Sequence, residues 1–229
     1  MAIAIPAIYR STVGKKAVMA VTGAVLVLFL IAHMIGNLKI FLGASDFDHY
    51  AHWLRTMGEP AVPRRTLLTL LEIVLTVSVV LHIWSAVSLA RRAGSARPVK
   101  YQSKKKSHAQ GYATYTMRYG GIIIALFVIW HLLDLTFFAV NPLGSDATPY
   151  DRVIADFDGS RWYITIWYVL AVLLVGLHLN HGIWSAFQTL GLRSPRSNGT
   201  LRLLAGGVAG LVTLGFIAVP ISVTFGWVS

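Results

Sequence analysis

The sequence predicts an all-α membrane protein with five transmembrane helices, the first four bundled together and the N-terminus in the cytoplasm. Three observations predict it. Apolar residues make up 55% of the 229 residues and charged residues 13%, about half the charged share of an average soluble domain. The apolar residues are gathered into five long runs, and the cations into the polar breaks between them. The formal charge of +11, from 20 Lys+Arg against 9 Asp+Glu, therefore speaks for a membrane topology signal and not for nucleic acid. The composition excludes disorder, which needs low hydrophobicity. The absence of cysteine excludes disulfides, thiolate-ligated zinc and any iron–sulfur cluster held by this chain alone.

The runs are Ala17–Leu42, Thr66–Ala90, Tyr119–Val140, Trp162–Phe187 and Leu203–Trp227. Each is long enough to cross a hydrocarbon core of ~30 Å at ~1.5 Å per residue. The first is too long for a cleaved signal peptide and has no small-residue cleavage site before a polar mature start. All of residues 1–229 read as one transmembrane domain.

Lys and Arg set the orientation. Arg10, Lys15 and Lys16 precede the first span. Arg91, Arg92, Arg97, Lys100, Lys104, Lys105, Lys106 and Arg118 separate spans two and three, and Arg193, Arg196 and Arg202 separate four and five. The alternate loops mix fewer cations with acids. The positive-inside rule puts the basic side in the cytoplasm and the C-terminus outside. In the first outer loop, the apolar spacing of Phe47, Tyr50, Ala51 and Leu54 predicts a short amphipathic helix over Ser45–Gly58. His49 and His52 on that helix are expected as surface polar residues and not as a metal site.

Four histidines lie well inside apolar spans: His33, His82, His131 and His178, one in each of the first four. His181 follows one turn after His178. Ionisable residues inside a membrane are costly and read as functional by default. The spacings are 49, 49 and 47 residues. The flanks suggest a two-span repeat: Phe29-Leu30-Ile31-Ala32-His33 is similar to Phe127-Val128-Ile129-Trp130-His131, and Ile83-Trp84-Ser85-Ala86 recurs as Ile183-Trp184-Ser185-Ala186. Measured from the outer span ends, His33 and His131 lie about 14 Å deep and His82 and His178 about 24 Å deep. That makes two layers, each with two histidines from two helices. Paired imidazoles at one depth of a four-helix bundle suit bis-histidine haem b, so two haems are expected, one per layer. No Cys-x-x-Cys-His motif exists for covalent attachment. Zinc suits split pairs poorly, and a proton relay would not need paired depths. His178 is preferred over His181 because it matches the depth of His82; His181 would then bond a propionate or a neighbouring helix.

With these residues in order, the chain resembles the di-haem cytochrome b membrane anchor of succinate dehydrogenase or fumarate reductase, of the single-subunit, five-helix type found in many bacteria. The resemblance spans nearly the whole chain. It rests on the four-span order of His33, His82, His131 and His178, on the unpaired fifth span, and on His178-x-x-x-Gly182-x-Trp184. It implies a haem-binding bundle of the first four spans in a bacterial inner (plasma) membrane. It further implies a distal haem on His33 and His131 and a proximal haem on His82 and His178. The implied partners, on the cytoplasmic face, are a flavoprotein with FAD that oxidises succinate and an iron–sulfur subunit that passes electrons on. Quinone, with menaquinone expected, would be reduced near the distal haem, in the electron-transport step attached to the tricarboxylic acid cycle. This chain would make no bond in succinate.

Asp134, one turn beyond His131, and Glu72 are carboxylates in the outer halves of spans three and two, and are candidates for protonating quinone. The alternative for both is pairing with Lys39, Asn37 or a propionate-bound arginine. Ser11 and Lys15 resemble a Ser and an Arg of the proximal quinone site in related anchors. The glutamate that some relatives carry in span four has no match beside His178, where Leu177, Leu179 and Asn180 stand. Two other functions compete: a cytochrome b subunit of a formate dehydrogenase or hydrogenase, and a transporter that moves protons or metal on its histidines.

Overall fold

The computed structural model describes residues 11–96 and 115–229. Arg10, Arg97, Lys100 and Lys104 to Lys106 of the topology argument lie outside them. Among the described residues the chain is helical with no strand. The long helices are α1 (Thr12–Leu38), α3 (Thr66–Ser95), α4 (Gly120–Leu135), α6 (Trp162–Thr189) and α7 (Asn198–Thr224). Each is long and apolar enough to cross a membrane, α4 together with the end of the π-helical turn before it (Met117–Leu135). Two short helices, α2 (Ala44–Thr56) and α5 (Pro149–Asp156), sit in the loops. Large apolar side chains such as Leu28, Ile73, Val77, Ile122, Leu126, Leu170 and Leu211 are exposed on the long helices. That is the surface a bilayer covers.

Local chemistry sets the element ends. Ser11 caps α1 by accepting from the Gly14 amide at 2.9 Å. A 3₁₀ turn over Lys39–Leu42 then extends it, and Gly43 at φ 95° lets the chain turn into α2. Helix α2 is the amphipathic loop helix expected at Ser45–Gly58. Thr148 caps α5 and Pro149 occupies its first turn. Apolar spacing gave no warning of α5.

Span three is shorter than its apolar run. Helix α4 ends at Leu135, not Val140. The amides of Phe137 and Ala139 fold back onto the carbonyls of Leu132 and Leu133, and Phe138 takes a left-handed φ of 57°. Asn141 is thereby returned to the side of Asp134. Apolar loop residues extended the hydropathy signal beyond the helix.

Helix α6 is the hub. It packs against α4, α7 and α1, while α1 packs against α3 and α7. Gly176 of α6 faces Thr213 of α7, and Gly215 of α7 faces the Met34 side chain of α1, so these helices approach closely. Among the described residues, helix α3 packs chiefly against α1 and to a lesser extent against α2.

Helices α2 and α5 pack together over one end of the bundle. The Tyr150 amide donates to Asp48 Oδ1 at 2.9 Å, and the Tyr150 hydroxyl donates to the Ser229 carbonyl at 3.0 Å. We call this the capped end. A buried cluster of Ile40, Phe127, Tyr150, Phe157, Ile164, Tyr168, Val219 and Val223 lies beneath it. The opposite end carries Lys15, Lys16, Arg91, Arg92, Arg118, Arg193, Arg196 and Arg202 and is the basic end.

Candidate functional site: two histidine layers and a buried carboxylate pair

Histidines from alternate long helices meet in pairs. His33 of α1 and His131 of α4 have ring centres 5.9 Å apart, with planes at 77°. His82 of α3 and His178 of α6 have ring centres 6.3 Å apart, with planes at 60°. Neither α1 and α4 nor α3 and α6 are among the helix pairs in extensive backbone contact. The rings therefore approach across gaps that the backbones leave open. With metal–imidazole bonds of about 2 Å, two imidazoles on opposite sides of one metal ion have ring centres on the order of 6 Å apart. Both pairs show that separation. His181 lies against Trp184, with ring centres 6.1 Å apart, and not opposite His82.

The first layer lies toward the capped end and is walled by aromatic rings. Phe29 stacks on His33 at 5.2 Å and Phe127 on His131 at 5.8 Å, each from one turn earlier in its helix. This is the sequence repeat realised as geometry. Phe216 of α7 closes the His33 side at 5.6 Å. Tyr168 Oη lies 3.4 Å from His131 Nδ1. That hydroxyl donates to Asp134 Oδ2 at 2.8 Å, so its oxygen accepts from the His131 Nδ1–H. Such a partner fixes the tautomer and leaves Nε2 as the nitrogen that could ligate a metal.

The second layer lies toward the basic end and is bounded by small groups. The His82 Nδ1–H donates to the Met19 carbonyl at 3.1 Å, with Thr22 Oγ1 at 3.4 Å. A methyl group on Gly23 would lie 3.3 Å from His82 Cε1, and one on Gly121 would lie 3.9 Å from His178 Cε1. Gly23 precedes His33 by ten residues, and Gly121 precedes His131 by ten. Each helix that carries a histidine of the first layer thus presents a glycine to the second.

Two buried polar atoms near the histidines have no hydrogen-bond partner among the described residues: Ser85 Oγ, three residues after His82, and Trp130 Nε1, beside His131. Native interiors leave few such groups, and both suit the polar edge of a bound planar cofactor. No group of three or more His, Asp or Glu side chains converges among the described residues.

The carboxylates separate. Asp134 is fully buried. Its partners are Tyr168 and, at 3.5 Å, the Asn141 amide, with Asp156 beside it; Lys39 and Asn37 are not involved. Lys39 lies over the Tyr50 ring at 5.5 Å instead. Glu72 is about half exposed on α3 and pairs with Arg65 at 3.2 Å. The structure does not bring Glu72 and Asp134 together. Asp156, Tyr168 and Asn141 complete the site around Asp134 and were not singled out from the sequence. At the basic end, Lys15 is buried with its ammonium over Trp84 at 4.7 Å. Arg193 and Arg202 lie over Trp184 at 5.0 and 5.2 Å. The two tryptophans of the repeated Ile-Trp-Ser-Ala motif both collect cations.

No protein-family model, curated protein or solved structure matches this chain.

Proposed function

We propose that the chain is a di-haem cytochrome b, the membrane anchor and electron-transfer subunit of a succinate:quinone oxidoreductase. The observation that carries the reading is the meeting of four intramembrane histidines in two pairs, each across a gap between helices that do not pack together. His33 and His131 would hold one haem b, and His82 and His178 the other. When bound, the haems supply one-electron transfer between a soluble partner and quinone.

The chain's own residues orient and seal. The Met19 carbonyl and the Tyr168 hydroxyl hold one ring of each layer by Nδ1. Phe29, Phe127 and Phe216 exclude water from the first layer. The basic end would face the cytoplasm of a bacterial cell and dock the iron–sulfur subunit, with the FAD-bearing flavoprotein beyond it. Quinone, with menaquinone expected, would be reduced toward the capped, outer end. Ser11 and Lys15 lie at the basic end, where the resemblance puts a proximal quinone site. Succinate as electron source rests on that resemblance: the histidine order and a fifth helix, α7, that carries no histidine.

The test is the visible spectrum and haem-to-protein ratio of the intact complex. Two haems b per chain, reducible by succinate, are expected. One haem, or none, refutes the reading.

A further inference from the structure

Asp156 ends α5, outside every membrane-spanning helix, yet its side chain is fully buried. Its Oδ1 accepts from Arg161 Nη2 at 3.0 Å. Its Oδ2 is buried and receives no N–H or O–H from the described residues. What faces Asp156 there is the carboxyl group of Asp134, near enough for the two to share a hydrogen bond. Asp134 already accepts from the Tyr168 hydroxyl and faces the Asn141 amide. The charged and titratable groups around Asp156 are therefore Asp134 from α4, Tyr168 from α6, and Arg161 from the turn before α6. The nearby Arg152 guanidinium is spent on the carbonyls of Gly144, Ser145 and Ala147.

The charge count decides what this arrangement holds. Two ionised carboxylates against one guanidinium would leave a net negative charge in a buried site, which is unfavourable. One added proton makes the group neutral. It also supplies the hydrogen bond that Asp156 Oδ2 otherwise lacks. A proton on Asp156 Oδ2 lets that buried oxygen donate to the Asp134 carboxyl group it faces.

We propose that Asp156 carries a proton at neutral pH, shared with Asp134, and that this pair is the proton donor for quinone reduced beside the His33–His131 layer. The donor role rests on the function proposed above; the shared proton does not. Each quinone takes two electrons, supplied through the soluble partners, and two protons. The pair gives one proton at a time. Asp156 becomes the carboxylate, held by Arg161, and is then recharged from water. Arg161 is 21% exposed, and a depression of about 480 Å³ lined by Asp158, Ser160 and Arg161 opens beside the ion pair. Tyr168 is a positioning residue that bridges the pair to His131. Burial and the neighbouring Asp134 push Asp156 up to about 8, with Arg161 opposing.

Infrared spectroscopy of the purified complex tests the proton directly and needs neither haem nor quinone. A protonated-carboxyl band present at pH 7 should fade as the pH passes about 8. It should vanish in Asp156→Asn and persist in Asp158→Asn, since Asp158 is exposed and held ionised by Ser160. Asp156→Glu keeps a carboxyl group and should keep a shifted band, which covers the case in which Asp156→Asn does not fold. Absence of the band at pH 7, or its survival in Asp156→Asn, overturns the shared proton. With haem content unchanged, quinone reduction in Asp156→Asn should fall at least about tenfold; a wild-type rate overturns the donor role. Loss of haem b from the wild-type protein would instead count against the proposed function and leave the infrared result standing.

Discussion

The two histidine layers use the same pair of side chains in unlike surroundings. The His33–His131 layer is walled by Phe29, Phe127, Phe216 and Tyr168, and is tied through Tyr168 to a buried carboxylate. The His82–His178 layer is bounded by a backbone carbonyl, a threonine hydroxyl and two glycines. The histidines alone therefore do not distinguish the layers; what the rings lean on does. One layer is coupled to charge and to the solvent edge at Arg161. The other is built for close approach.

The largest expected effect breaks the layers apart one at a time. His82→Ala or His178→Ala should each remove the same haem, and His33→Ala or His131→Ala the other, read as two distinct losses in the reduced-minus-oxidised spectrum. If His178→Ala retains both haems while His181→Ala loses one, the pairing across α3 and α6 is wrong.

Next in size is a pH effect confined to the carboxylate side. Asp156 has an ordinary value of 3.8 and a folded value near 8. The folded protein thus binds more protons than the unfolded chain between these values. Its contribution is complete below about pH 4 and is lost as the pH rises to about 8. The detergent-solubilised protein should resist heat better at pH 6 than at pH 9, by on the order of a few kcal/mol. Asp156→Asn should flatten that slope. An equally steep slope in the variant would mean that another group carries it.

The smallest effect sharpens the glycine side. Gly23→Val adds bulk where even a methyl group already lies 3.3 Å from His82. It should loosen the haem of the His82–His178 layer by about 1–3 kcal/mol and spare the other, measured by haem retention during dilution. Equal loss from both layers would show a general packing defect.

Much of this was legible in the sequence, and the illegible parts have physical causes. The long helices announce themselves because a bilayer demands unbroken apolar runs. The histidine pairing survives even though span three ends five residues early, because α1 also gives way to a 3₁₀ turn at Leu38, so His33 and His131 stay level. The network around Asp134 was hidden because its members come from α4, α5, α6 and the loop at Asn141, and no local spacing links them. Asp156 looks like an ordinary loop acid until α5 folds it inward. The glycines were readable: the ten-residue step from Gly23 to His33 recurs from Gly121 to His131, and only alignment of the two halves exposes it.

Among the described residues, helix α3 joins the bundle chiefly along its seam with α1. Helix α1 is clasped by both α6 and α7, and α4 rests on α6. Mechanically, α3 is a leaf on one hinge, and His82 rides on the leaf. Bilayer thickness and lateral pressure act on it with little to oppose them across the α3–α6 gap. The spacing of His82 and His178 therefore answers partly to the lipid, whereas α1 and α4, which carry His33 and His131, both rest on α6.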